Sequence, residues 1–322
     1  MFTLAGLEAA AALVHTQMPP TPAYAWPLLA ARIGTQVWIK HENHTPAGAF
    51  KVRGGIVYMD ELKRSGAKVA GVITATRGNH GQSIARAAAA AGIKATVVVP
   101  HGNSRQKNAA MRGFGAELIE HGEDFDSAKD EAQRLAEARN LLMVPSFHSA
   151  LVKGVATYAL EFFRQAPPLA AVYVPIGLGS GICGMILARD LLKLETKIIG
   201  VVSERAPAYA LSFKAGHPVP TNSARTFADG VAVRGPHPDA VAIICKGAAD
   251  VVQVGEDAIA EAIRVYYEDC QTLAEGAGAA PLAALLATAG QWSGKAVGAV
   301  LSGGNIDRAA FLSVLSGTTP SA

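Results

Sequence analysis

One lysine, Lys51, lies in HENHTPAGAFKVRGG (41–55) between Phe50 and Val52, with Gly54 and Gly55 close behind. A lysine head normally stays in water. Set among apolar and glycine residues it is an amine suited to partial desolvation, which disfavours the ammonium and leaves a nucleophile or a base. Three glycine-bearing loops supply further polar groups, each following a run that reads as a β-strand. TRGNHGQ (76–82) opens a helix. Free N–H groups at such a start bind carboxylate or phosphate, while Asn79 can equally be the cap of an ordinary turn. GLGSGICG (177–184) spaces Gly177, Gly179 and Gly181 around Leu178 and Ser180, so that backbone can approach a phosphate. The same stretch satisfies G-x-G-x-x-G, with Glu204 standing about 20 residues on. Read alone, it favours NAD. LSGGNID (301–307) puts Ser302 at a strand end, where a hydroxyl can meet a ring nitrogen or a carboxylate. By itself that is an ordinary turn.

Positioning these loops takes a sheet. Short β-branched runs at 35–42, 70–76, 94–100, 116–122, 141–146, 171–177, 196–203, 250–254 and 296–304 read as strands. Longer Ala- and Leu-rich stretches at 49–65, 79–92, 104–113, 125–139, 149–165, 180–193, 255–269, 277–290 and 307–315 read as helices. Continuous apolar strands separated by helices imply parallel sheets covered on both faces, an α/β class built from βαβ units. In such sheets ligands sit at the carboxyl ends of strands, where the three loops fall. The segment PPTPAYAWP (19–27) reads as a proline-rich lead-in, and little chain follows the last strand for an appended regulatory domain.

Composition narrows the classes. Half of the 322 residues are hydrophobic and 17% are charged, ample for a core. Net charge is +3 and no Lys/Arg run with interleaved aromatics occurs, so no nucleic-acid partner is expected. Cys183, Cys245 and Cys270 fit neither a zinc site nor a disulfide framework and read as reduced thiols of a cytoplasmic protein. The N-terminus carries Glu8 and no early Lys or Arg, unlike a signal peptide. The uncharged run 169–188 is long enough to span a bilayer, but Pro175, Ser180 and four glycines break it into strand, loop and buried helix, so no membrane span is expected.

Together the motifs resemble the fold type II family of pyridoxal-phosphate enzymes (tryptophan synthase β-like), and within it the threonine/serine dehydratase and serine racemase branch. AFKVRGG matches S-F-K-x-R-G, TRGNHGQ matches S-[SA]-G-N-H-[GA]-Q, GLGSG falls at the phosphate loop and LSGGN at the segment facing the pyridine nitrogen. FADGVAV (227–233) and LAEGAGAA (273–280) follow in order, and the likeness runs over about residues 20–310. It turns the second loop from NAD towards pyridoxal 5'-phosphate. The resemblance implies that Lys51 is the Schiff-base lysine and the base at Cα, that Phe50 packs beside the ring, and that Asn79 bonds the phenolic oxygen. It implies that Thr76, Arg77, Gly78, Asn79 and His80 hold the substrate carboxylate. Gly177, Leu178, Gly179, Ser180 and Gly181 would hold the phosphate, and Ser302 the ring nitrogen. A hydroxyl there cannot supply a full charge, which favours prompt loss of a β-hydroxyl over a long-lived carbanion. The phosphate is an acid for the departing hydroxide.

The chain departs from the pattern in places. Arg77 replaces Ser or Ala; an arginine does not deprotonate, which disfavours racemisation. It either points into the site, to clamp a carboxylate or stack on an aromatic substrate, or points away and pairs on the surface. Ala49 replaces Ser, Val155 replaces Gln, and Leu178 interrupts the glycine run. Glu204 matches one acidic position of the branch's cation site, but Ala210 occupies the other, so no metal is expected. The resulting expectation is a dehydratase that removes water from a small 3-hydroxy L-amino acid, threonine or serine, giving ammonia and a 2-oxo acid. Ala49, Val155 and Arg77 would admit a bulkier substituent such as the phenyl of phenylserine, or a second carboxylate. Racemisation or β-replacement on the same cofactor, a nicotinamide oxidoreductase and a non-catalytic amino-acid-binding module are the alternatives. The expected architecture has two lobes: residues 1–70 with 149–322 as a large cofactor-binding domain, and 71–148 as a small mobile one, in a homodimer.

Overall fold

Valine- and isoleucine-rich runs become strands because stacked β-branched side chains suit a sheet buried on both faces. In the structure, a computed structural model that describes residues 1–321, the strands are β1 (Ala23–Ala25), β2 (Val37–His41), β3 (Val72–Ala75), β4 (Ala95–Val99), β5 (Glu117–Glu120), β6 (Leu142–Met143), β7 (Ala171–Pro175), β8 (Lys197–Ser203), β9 (Asp250–Val254) and β10 (Val297–Leu301). They form two sheets. One runs β1-β2-β10-β7-β8-β9 and the other β5-β4-β3-β6. All pairings are parallel except β1 with β2. The fold is the α/β arrangement expected, with one antiparallel edge.

Some elements differ from the sequence reading. The lead-in 19–27 holds β1, whose three residues pair with Trp38–Lys40. The helices Leu4–His15, Pro27–Ile33, Ala208–Ala215 and Pro238–Gly247 are additional. Leu4–His15 buries Leu7, Ala10, Ala11 and Val14 and packs on the helix Ser149–Gln165. Its Ala-rich face carries little amphipathic contrast, so periodicity hid it. β6 is shorter than 141–146 because Pro145 has no N–H to continue the ladder.

Parallel register brings the loops together. Leu301 pairs with His41, so the chain leaves β10 and β2 at the same end of the sheet. Beyond that point Ala49 bridges Gly303, and Phe50 N donates to Ser302 O at 3.0 Å. The helix Lys51–Arg64 then begins, wedged between the helices Asn79–Ala91 and Ser149–Gln165. A side chain at Gly55 would meet Ser83 O at 2.8 Å, and one at Gly54 would meet Leu151 O at 2.9 Å. These glycines permit close helix packing.

Two residues on from Lys51, Arg53 centres a charged core. Arg53 and Glu42 have no exposed surface, and Glu161 is buried. The Arg53 guanidinium donates to Glu42 at 2.7 and 3.0 Å, to Glu161 at 2.6 and 2.8 Å, and to Thr157 and Thr21 hydroxyls at 3.0 and 3.2 Å. Lys40 Nζ donates to Glu161 at 2.7 Å, Thr21 O at 2.7 Å and Gln165 at 3.2 Å. Two cations thus meet two carboxylates with the donors satisfied, which is the condition under which buried charge is tolerated.

Candidate active site

The carboxyl ends of β3, β7 and β10 and the start of the Lys51–Arg64 helix surround one cavity of about 1110 Å³. Phe50, Lys51, the loop Thr76–His80, the loop Gly177–Gly181 and Ser302 all line it. Residues up to 252 positions apart in sequence therefore face one space (Phe50 to Ser302).

Lys51 is the first residue of its helix, and Ser83 Oγ donates to its carbonyl at 2.5 Å. Its Nζ lies 3.0 Å from Ser180 Oγ and 5.2 Å from the Phe50 ring centre. It has no acidic partner among the described residues. Desolvation alone pushes the ammonium down to about 8.

Each loop presents backbone donors. Thr76 Oγ1 accepts from Gly78 N at 3.0 Å and Gly81 N at 3.3 Å, holding the turn in shape. The amides of Asn79 and His80 find no backbone acceptor among the described residues. The helix cap is Gly78, not Asn79, whose side chain serves elsewhere. The His80 ring is buried on Thr74 Oγ1 at 3.1 Å, and burial, then the charge of Lys51, lowers it to about 3. Only its backbone can serve an anion. In the second loop Gly179 has φ +98° and caps the helix Ser180–Leu191; a side chain at Gly177 would collide with Gly230 O. The amides of Leu178 to Ile182 likewise lack backbone acceptors among the described residues. Leu178 turns its carbonyl out to Tyr209 OH at 2.9 Å, which is how a leucine fits the run. This donor set matches a dianion.

Several readings change. Glu204 lies at the end of β8 but lines a separate surface cavity with Gly255 and Glu256, away from the glycine loop. It cannot act as the ribose acid of a dinucleotide site there. Ala49 and Val155 are buried outside the cavity wall, Val155 facing Gly54, so neither enlarges the space for substrate. Arg77 is exposed on the cavity wall and makes no ion pair among the described residues. Glu275 occupies the N-cap position of the helix Gly276–Ala287 but its side chain makes no capping bond; instead its Oε1 accepts from Asn79 Nδ2 at 2.6 Å. Lys107, Asp229 and Glu275 join the cavity, and none was singled out as a site residue from sequence. Lys107 pairs with Asp229, 122 positions away, a contact no local signal announces.

Residues 14–303 match the family described as pyridoxal-phosphate dependent enzyme. An L-threonine ammonia-lyase of Geobacter sulfurreducens is 40% identical over 278 residues, covering 86% of this chain and 69% of that protein. A biosynthetic L-threonine dehydratase of Pasteurella multocida is 34% identical over 290 residues, 89% of this chain but 56% of that protein. The chain thus spans little more than half the length of the latter. The processed threonine deaminase isoform 2 of Solanum lycopersicum superposes with a TM-score of 0.91 at 31% identity, covering 97% of this chain and 91% of that one. An amine left without an acid, facing a cradle of free amides, is the requirement of an aldehyde cofactor bearing a phosphate. With that match in sequence and in fold, this chain belongs to the pyridoxal-phosphate-dependent enzyme family.

Proposed function

We propose that the chain eliminates water from a 3-hydroxy L-amino acid and releases ammonia and a 2-oxo acid. The observation that carries this reading is the Lys51 amine, unpaired and desolvated, beside Ser180 and opposite the free amides of Asn79 and His80. When bound, pyridoxal 5'-phosphate supplies an aldehyde for the amine and a ring that accepts electrons from Cα. The residues present fit it. Gly177, Leu178, Gly179, Ser180 and Gly181 offer amides and a hydroxyl for the phosphate, Ser302 a hydroxyl for the ring nitrogen, and Phe50 a face beside the ring.

Lys51 Nζ, neutral in a large fraction near pH 8, takes the proton from Cα, and Ser180 Oγ orients it. The Thr76–His80 loop holds the substrate carboxylate. Loss of one water and uptake of another release ammonia, so the net reaction needs no oxidant or reductant. Arg77 stands where racemisation would need an exchangeable acid and has none to offer. Its unpaired guanidinium favours, within this class, a substrate with a second anionic group over a plain alkyl one. The segment 71–148 acts as a mobile lobe over the cavity, and the enzyme works as a cytoplasmic homodimer.

The test is direct. Purified protein should show a visible band that borohydride bleaches, with the adduct mapped to Lys51. It should form 2-oxo acid from at least one of L-serine, L-threonine, phenylserine or 3-hydroxyaspartate, without D-serine. Formation of D-serine in place of pyruvate would move the assignment to racemisation, and an absent adduct would remove the cofactor site from Lys51.

A further inference from the structure

We propose that Glu275 is a positioning residue: with Asn305 it locks the side-chain amide of Asn79, and Lys107 sets its charge, so that residue 107 acts on the cofactor ring through Glu275. This rests on the reading that Asn79 faces the ring oxygen.

The chain of bonds fixes which end of Asn79 is the donor. Ala47 O can only accept, and Asn305 Nδ2 donates to it at 2.8 Å. The same nitrogen donates to Asn79 Oδ1 at 2.8 Å. Asn79 Nδ2 is therefore the end that meets Glu275 Oε1, at 2.6 Å. One Nδ2 hydrogen is taken by the carboxyl, and the second has no protein acceptor among the described residues. It is the hydrogen left for a ring oxygen. Without Glu275 the amide loses its second anchor and can turn.

Glu275 is also a proton holder. It is 2% exposed, and its Oε2 has no hydrogen-bond partner. The charged groups facing it are Lys107, from the helix Arg105–Gly113, and Asp229, from the turn Asp229–Val231. The other elements packed on it present neutral groups: the Asn79 amide and the backbone of Gly303, whose carbonyl accepts from Glu275 N at 3.0 Å. Lys107 Nζ pairs with Asp229 and lies 3.7 Å from Glu275 Oε2; Asp307, held by Ser104 at 2.6 Å, adds a further negative charge near it. One cation thus serves two acids at close range, and one of those acids is better neutral. Burial raises Glu275, the charge of Lys107 lowers it and that of Asp229 raises it, leaving it at about 7. A neutral carboxyl still accepts from Asn79 at Oε1 and can donate from Oε2. An ionised one only accepts.

The experiment follows the visible absorbance and fluorescence of the holoenzyme between pH 5.5 and 9, with hydride trapping in parallel. The wild type should show a spectral transition near neutrality. Glu275→Gln keeps an acceptor and a donor but cannot titrate; it should retain the trapped adduct at Lys51 and lose the transition. Lys107→Met removes the cation that favours the carboxylate and should move the midpoint upward by about one pH unit. A Glu275→Gln holoenzyme with the wild-type transition and midpoint, or a Lys107→Met midpoint that stays in place, overturns the inference while the trapped adduct leaves the proposed function standing. An absent adduct in the wild type instead removes the proposed function itself.

Discussion

Lys40 and Lys51 stand eleven residues apart, both withdrawn from water, and they differ in company. Lys40 meets Glu161, the Thr21 carbonyl and Gln165 within 3.2 Å, in a cluster where Arg53 binds Glu42 and Glu161 together. Lys51 meets one serine hydroxyl. Desolvation lowers both amines, but at Lys40 the charges of Glu42 and Glu161 oppose it. Neutralised and hydrogen-bonded on every side, the first cluster has little capacity left for a ligand. The second region keeps unspent groups: the Lys51 amine, Glu275 Oε2, the free amides of both loops and Arg77. Desolvation at both lysines with unequal pairing separates a structural charge from a chemical one.

Exchanging the two lysines' fates is the strongest way to break this contrast. Lys51→Ala should abolish the hydride-trapped adduct and cut turnover by about 10⁴-fold, some 5.5 kcal/mol of barrier, with urea stability kept. Lys40→Met should keep the adduct at position 51 in the folded protein. A folded Lys40→Met protein without adduct would erase the distinction.

Next in size is the cluster itself. Arg53→Met leaves Glu42 and Glu161 facing each other without their shared cation, and should cost about 3–5 kcal/mol in the urea midpoint analysis. A loss near zero would mean that water reaches these carboxylates. A smaller effect is expected at the cavity wall. Arg77→Ser should lower kcat/KM for a 3-hydroxy amino acid with a second carboxylate by about 10–100-fold, and change the value for serine little. Equal losses on both substrates would place Arg77 on the common carboxylate.

The smallest effect concerns acid. His80 is lowered to about 3, so unfolding at lower pH lets it take a proton that the native state refuses. Its share of stability is full above the unfolded value near ~6.5 and is lost as pH falls towards 3, at up to about 1.4 kcal/mol per pH unit. Glu275, raised to about 7, runs the other way, its share being lost as pH rises through 7. The difference between wild type and His80→Gln, measured by denaturation from pH 7 to pH 4, isolates the histidine. A wild-type stability that does not fall relative to that of His80→Gln on acidification would show the ring to be wet.

Local chemistry made much of the fold readable. The β3 and β7 runs, VITA and AVYVP, are short, apolar and β-branched, and the helices that precede or follow them, Asn79–Ala91 after β3 and Ser149–Gln165 before β7, carry an amphipathic pattern. β1 was not readable, because three residues form a strand only when an edge such as β2 is there to receive them. The same division holds in the cavity. Lys51 and the glycine loops announce themselves, since an isolated amine and residues such as Gly179 with positive φ are local signals. Lys107, Glu275 and Asn305 are ordinary in sequence. Their meaning lies in partners 122, 196 and 226 positions away.

The sequence by itself determined the α/β class, the loops at the strand ends and the lysine among them, because strand propensity, helix periodicity and glycine's freedom act over a few residues. Tertiary structure alone decided which charges would be neutralised and which left open. Pairing depends on distance in space, and only the folded sheets bring Arg53 to Glu161 while leaving Lys51 without an ion-pair partner among the described residues.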